Sequence, residues 1–127
     1  MCAPSILLVD DEPRVLRYLK TVLEIDSYEV ETAASGEEAL QRVRHGPAPS
    51  LVLLDLLMPR RDGLSVLAEL RRDVATRAIP VVIMSNSSKD LERQKASTLG
   101  VVDYWIKSNL SLQELCDRVS QLLRAET

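Results

Sequence analysis

Two runs of four apolar residues, each ending in acid, constrain this chain more than anything else in it: Ile6-Leu7-Leu8-Val9 before Asp10-Asp11-Glu12, and Leu51-Val52-Leu53-Leu54 before Asp55. A strand with one wet face alternates polar and apolar residues. An unbroken apolar run of this length therefore reads as a strand buried on both faces, as in a parallel sheet covered by helices on each side. Pro80-Val81-Val82-Ile83-Met84 is a third such run, and it gives way to Ser85-Asn86-Ser87-Ser88. Each exit places a polar side chain at the end of a buried strand.

The segments between these runs carry helical spacing. Pro13 suits the first turn of a helix, and Val15, Leu16, Leu19, Val22 and Leu23 continue it. Tyr28 to Ala33 alternates, as an edge strand does. Ser35 and Glu38 form a capping-box pattern before a short helix with Ala39, Leu40 and Val43, ending near Gly46-Pro47. His45, in its last turn, has no second ligand at metal spacing and is assigned no chemistry. Beyond Asp55, Pro59 and Asp62-Gly63 turn the chain, and Leu64, Leu67 and Leu70, flanked by Val66 and Val74, predict a third helix. Ser87 to Asp90 is a second capping-box pattern, ahead of a helix to Leu99 that is poor in apolar residues and stopped by Gly100. Val101 to Ile106 is a mixed strand ending in Lys107, and Ser111 to Glu114 opens a last helix with a stripe of Leu112, Leu115, Val119, Leu122 and Leu123.

Five strands alternating with five helices predict an α/β fold, a five-stranded doubly wound parallel sheet joined by right-handed crossovers. The fully apolar strands one, three and four belong in the centre and the mixed strands two and five at the edges, which gives the order 2-1-3-4-5. Ligands of such sheets bind outside the carboxyl ends of the strands, at the switch point between strands one and three. The side chains gathered at that end are Asp10, Asp11, Asp55, Ser85 and Lys107. Taken alone, a pair of acids ahead of a helix also suits a helix cap. Three carboxylates with a hydroxyl and an ammonium are a more specific set. Clustered carboxylates repel and raise each other's pKa, a divalent cation relieves them, and oxygen ligands with room for water suit Mg²⁺. A carboxylate beside such an ion can act as a nucleophile toward phosphorus, while the metal and the lysine neutralise the arriving charge.

Composition narrows the class. The 127 residues fit a single domain, 1–127 with its core at about 5–124, large enough to fold without disulfides or structural metal. A net charge of −3, from 16 basic and 19 acidic residues without a basic stripe, argues against direct contact with nucleic acid. The apolar runs are far shorter than a membrane span and Met1 to Pro4 lacks a signal peptide, so no membrane contact and a cytoplasmic location are expected. Cys2 and Cys116 have no metal-like spacing and read as packed or idle thiols.

Leu8-Val9-Asp10-Asp11-Glu12-Pro13, the spacing from Asp55 through Met58-Pro59 to Asp62-Gly63, Ser85, and Gly100 through Asp103-Tyr104 to Ile106-Lys107 together resemble the receiver domain of two-component response regulators. The resemblance runs from Ile6 to about Leu123 and implies that family's flavodoxin-like fold. It implies Asp55 as phosphoacceptor, Asp11, Asp55 and the carbonyl of Leu57 as direct Mg²⁺ ligands, and Asp10 as a ligand through water. Lys107 is then the site lysine, Ser85 the switch hydroxyl and Tyr104 the switch aromatic. The implied donor is a phosphohistidine on a sensor histidine kinase or histidine phosphotransfer protein. An output partner or effector domain would use the face from helix four to helix five. The chain is expected to be a signalling domain that catalyses only its own phosphorylation and slow dephosphorylation. No effector domain follows the last helix, so a stand-alone receiver and a piece of a longer protein are both open.

Two departures from the family pattern carry expectations of their own. Lys107 precedes Ser108 where most relatives have a cis-proline, and a cis bond before a non-proline residue costs about 2.5–4 kcal/mol, so a trans bond is expected. Trp105 adjoins Tyr104, and neighbours in a strand alternate, so one is expected against the helices and the other toward solvent or a partner. By the same resemblance Leu57 and Ser87 flank the path of a hydrolytic water, and neither orients it well. Arg60 and Arg61 read as solvated loop residues. Two other functions are weighed. A phosphatase of the haloacid dehalogenase type carries a second acid two residues past the nucleophile, where this chain has Leu57, and a cap insertion that this chain lacks. A degenerate, phosphate-independent receiver would lack an acid or the lysine, and all are present.

Overall fold

The structure, a computed structural model, describes residues 4–86 and 89–125. The apolar runs form β1 (Ser5–Val9), β3 (Leu51–Asp55) and β4 (Val81–Ser85), and the mixed segments form β2 (Glu29–Ala33) and β5 (Asp103–Ile106). All four neighbouring pairs are parallel and the order is β2-β1-β3-β4-β5, as the apolarity of the strands predicts. The helices are α1 (Pro13–Ile25), α2 (Gly36–Arg44), α3 (Gly63–Arg72), α4 (Asp90–Thr98) and α5 (Leu112–Ala125), with a single 3₁₀ turn, Lys107–Asn109, between β5 and α5.

Because strand side chains alternate, each central strand feeds two cores. Leu7, Val52, Leu54 and Ile83 pack with α2, α3 and α4, whereas Leu8, Leu53, Val82 and Met84 pack with α1 and α5. The same alternation corrects the expectation for β5. Tyr104 and Trp105 are both buried, at 8% and 1% exposure. Tyr104 joins the core that contains Ala96 of α4, and Trp105 joins the one that contains Leu115 and Val119 of α5. The edge position of β5 leaves its hydrogen-bonding side open but covers both of its faces. The indole Nε1 donates to Asp103 at 2.8 Å, so the buried ring keeps its polar partner.

Local chemistry sets the helix ends. Glu38 donates its N–H to Ser35 Oγ at 3.1 Å, and its carboxylate reaches back to the amide of Ala34 at 2.8 Å. Ser111 and Glu114 exchange both capping-box bonds at the head of α5, at 3.1 and 3.3 Å. Val74, expected beside the third helix, instead lies exposed past its end. The Asp73 carboxylate accepts from the amide of Ala75 at 3.0 Å, a local bond that competes with the helical ladder and stops α3 at Arg72. At the head of α4 the capping position is Lys89, which makes no side-chain cap bond, and the Ser87 pattern lies outside the described residues. Only Ala96 of α4 is buried, in keeping with a helix poor in apolar residues. Its far end is tied down by Arg71 of α3, which donates to the carbonyls of Leu99 and Gly100 at 2.8 and 3.1 Å, and to those of Arg77 and Ile79 at 3.0 and 2.9 Å.

The loop from β3 to α3 folds tightly onto the strand that it leaves. The Gly63 amide donates to the carbonyl of Leu56 at 2.8 Å, and a Cβ at position 63 would lie 2.4 Å from the carbonyl oxygen of Asp55. The turn recognised in the sequence therefore needs glycine for close approach. Gly63→Ala is expected to lower stability by about 3 kcal/mol, the upper end of ordinary overpacking. Urea unfolding measures it, and a loss near zero would contradict the close packing described.

Candidate functional site

Asp10 leaves β1 and turns inward, its Oδ1 accepting from the amide of Glu12 at 3.0 Å while its own amide donates to Ala33 O at 3.1 Å. The capping position of α1 is Glu12, which is extended and makes no side-chain cap bond. The acid pair therefore does not cap that helix. Asp55, the last residue of β3, is buried with Asp10 at 6% and 2% exposure, and Asp11 is exposed. Lys107 reaches both buried acids, with Nζ 2.8 Å from Asp10 Oδ2 and 3.0 Å from Asp55 Oδ1. Asp10, Asp11 and Asp55 each present a carboxylate oxygen, all within 4.8 Å of one another.

Four of the residues expected at the site, Asp10, Asp11, Asp55 and Lys107, thus converge. Ser85 is buried at the end of β4, one residue past Met84, the partner of Asp55 in the sheet. Leu57, two residues past Asp55, is 61% exposed. Tyr104 stands apart from the acids: it pairs with Ile83 in the sheet, and the Arg93 guanidinium lies 5.3 Å from its ring centroid. The ring is already inside the core, so the space a switch aromatic would enter is filled in this state.

The charges do not cancel. Burial pushes the Asp55 carboxyl above its ordinary pKa; the Lys107 ammonium opposes this, and Asp10 and Asp11 add to the rise. Burial works against the Lys107 ammonium, but hydrogen bonds to Asp10 and Asp55 outweigh it and hold that pKa above the usual lysine value. One ammonium faces three carboxylates, a formal excess of two negative charges. An all-oxygen donor set with excess negative charge suits a hard divalent cation such as Mg²⁺.

Some features near the site differ from, or go beyond, the sequence reading, and one agrees with it. Arg61 is not a solvated loop residue: its guanidinium pairs with Glu37 at 2.8 Å and Glu69 at 3.4 Å, bracing the loop after Asp55 against α2 and α3. Its partners lie on other helices, so no local pattern could announce them. Arg60 is exposed and takes a left-handed φ of 69°. No cis peptide occurs among the described residues, so the Lys107–Ser108 bond is trans, as expected. Asn86, which the sequence reading passed over, accepts from the amide of Ser108 at 2.9 Å.

With this geometry described, comparison with known proteins places the chain. The response regulator receiver domain family matches residues 6–120. The chain belongs to that family, whose general function is phosphoryl transfer in signalling. It is 40% identical over 120 residues to a probable transcriptional regulator, ycf27, of Pyropia yezoensis, covering 94% of this chain and 47% of the relative. The chain spans about half the length of the curated relatives it matches. The signal receiver domain of a signal transduction histidine kinase from Syntrophus aciditrophicus superposes with a TM-score of 0.86 at 29% identity, covering 97% of this chain and 92% of that one. The Mn(2+)-bound form of response regulator Rcp1 superposes at 0.79 with 30% identity, covering 94% and 91%.

The raised Asp55 pKa carries a sign for stability. Between the ordinary carboxyl pKa and the raised one, the folded chain keeps a proton that the unfolded chain has released, so stability falls as pH rises through that window. In metal-free buffer at neutral pH, Asp55→Asn is therefore expected to melt above wild type, with the gap closing as pH drops below the carboxylate range. Thermal unfolding across pH measures this; a mutant less stable at neutral pH would contradict it.

Proposed function

We propose that this domain receives a phosphoryl group from a phosphohistidine onto Asp55, with the histidine presented by a sensor kinase or a histidine phosphotransfer protein. The observation that carries the reading is the Lys107 ammonium bridging Asp10 and Asp55 beside Asp11. An Asp55 carboxylate oxygen attacks phosphorus; the O–P bond forms as the N–P bond breaks, and the departing imidazole nitrogen takes a proton from water. Lys107 neutralises charge on the incoming phosphoryl oxygens, and the Ser85 hydroxyl donates to one of them afterwards. Mg²⁺ would be held by Asp11, Asp55 and the Leu57 carbonyl, with Asp10 contributing through water, and when bound it supplies further positive charge for the transferring group.

The readout we infer is a shift along β4, α4 and β5. Ser85 drawn toward the phosphoryl group would hold Tyr104 in the buried setting it already occupies, and α4, which buries only Ala96, offers little resistance to movement. Leu91 and Val102 are exposed at 63% and 46% on this side of the molecule, in keeping with an output partner or effector domain on the face from α4 to α5. Among the described residues no helix is long and apolar enough to cross a membrane. We read the chain as a single receiver domain that works in the cytoplasm.

Incubation with a small-molecule phosphodonor and Mg²⁺ tests the acceptor. Intact mass should rise by one phosphoryl group for wild type and remain unchanged for Asp55→Asn or when Mg²⁺ is chelated. An adduct on Asp55→Asn would overturn the assignment. The exposed, apolar Leu57 offers no hydrogen bond to an in-line water, so the phosphorylated state should be long-lived. Leu57→Asn should shorten its lifetime about tenfold, less than full acid–base catalysis provides. Loss of radiolabel after donor removal measures the lifetime, and equal decay in the two proteins would remove Leu57 from the account.

A further inference from the structure

The β4–β5 ladder ends at the pair Ser85 and Ile106, and immediately beyond it the chain bends into the 3₁₀ turn that carries Lys107. The opening amides of such a turn have no partner within it. The turn closes through Leu110 N to Lys107 O at 3.3 Å, and its capping position, Ile106, makes no side-chain cap bond. The Ser108 amide finds a partner across the sheet in Asn86 Oδ1, at 2.9 Å. A side chain thus adds one rung where the backbone ladder stops. Asn86 lies at the surface, outside both hydrophobic cores.

The consequence falls on Lys107. A lysine side chain is long and rotatable, so the aim of its ammonium depends on where its backbone is held. Here that ammonium must meet two buried oxygens, at 2.8 and 3.0 Å, from the first residue of a short turn at the edge of the sheet. We propose that Asn86 is a positioning residue: its side-chain carbonyl fixes the Ser108 amide, and so sets the aim of Lys107 from the end of β4. Asn86 immediately follows Ser85, so any displacement of Ser85 passes through this bond to the loop that carries the lysine. The kinetic part of the proposal rests on Asp55 being the phosphoacceptor; the structural part does not.

The test compares wild type with Asn86→Ala and Asn86→Asp, the latter keeping a carbonyl-type acceptor. In metal-free protein, NMR reads amide exchange at Ser108 and the side-chain order of Lys107. With Mg²⁺ and acetyl phosphate, single-turnover kinetics read the saturating rate and the donor concentration at half-saturation. Asn86→Ala should speed Ser108 exchange about three- to tenfold, the range of one net hydrogen bond, and disorder Lys107. It should lower the saturating rate by a similar factor with half-saturation unchanged, and Asn86→Asp should restore both exchange and rate. Unchanged exchange, an ordered Lys107 in the alanine variant, or equal losses in both variants would overturn the proposal. So would a raised half-saturation at an unchanged rate, which would make Asn86 a contact to the donor. If wild type takes no phosphoryl group, the Asp55 reading fails, and Ser108 exchange with Lys107 order still decides the role of Asn86.

Discussion

One ammonium meeting two buried carboxylates is the interaction that the arrangement of the strand ends must satisfy. Asp10 and Asp55 are nearly inaccessible, and an ionised carboxylate taken out of water without a partner is strongly unfavourable. Their partner comes from the far edge of the sheet: Lys107 follows β5, and β3 and β4 stand between it and β1. The contact exists only if four strand ends finish at one level. The register supplies this, with Val9 beside Leu54, Asp55 beside Met84 and Ser85 beside Ile106. The sheet order and the site are therefore one constraint, since a slip between any two of these strands would separate the ammonium from at least one acid.

The elements around the site are anchored unevenly. The loop after Asp55 is fixed on one side by the backbone contact at Gly63 and on the other by Arg61, which reaches Glu37 and Glu69. The C-terminal end of α4 is fixed by the bonds from Arg71 to Leu99 and Gly100, and its first turn follows a capping position that makes no side-chain cap bond. In the proposed switch, a change at Ser85 acts toward the first turn of a helix whose other end, held by Arg71, serves as a pivot. The placement of the charged groups at the strand ends and the sparse burial of α4 come from different residues and can be altered separately.

Much of this was legible from local pattern. The unbroken apolar runs of β1, β3 and β4 fixed which strands are central, and the side chains at their exits located Asp10, Asp11, Asp55 and Ser85 because a parallel sheet puts all its strand ends on one side. What stayed hidden depends on partners distant in sequence. Burial of both Tyr104 and Trp105 follows from helices on both faces of an edge strand, and alternation alone says nothing about what covers each face. The end of α3 at Arg72 turns on one Asp73 side-chain bond that competes with helical spacing at Val74. Arg61, Arg71 and Asn86 carried no signal, since an arginine among carbonyls or an asparagine under a distant amide looks in sequence like any surface residue.

The central claim is that Asp55, held by Lys107 and flanked by Asp10 and Asp11, is where phosphorus is bound. Fluorine NMR of the protein with Mg²⁺ and beryllofluoride, a mimic that binds as the phosphoryl group would, tests that claim most directly. The account predicts distinct resonances from bound fluoride in wild type, lost on chelating Mg²⁺ and absent in Asp55→Asn. Bound resonances that persist in Asp55→Asn, or none in a folded wild type with Mg²⁺ present, would contradict it.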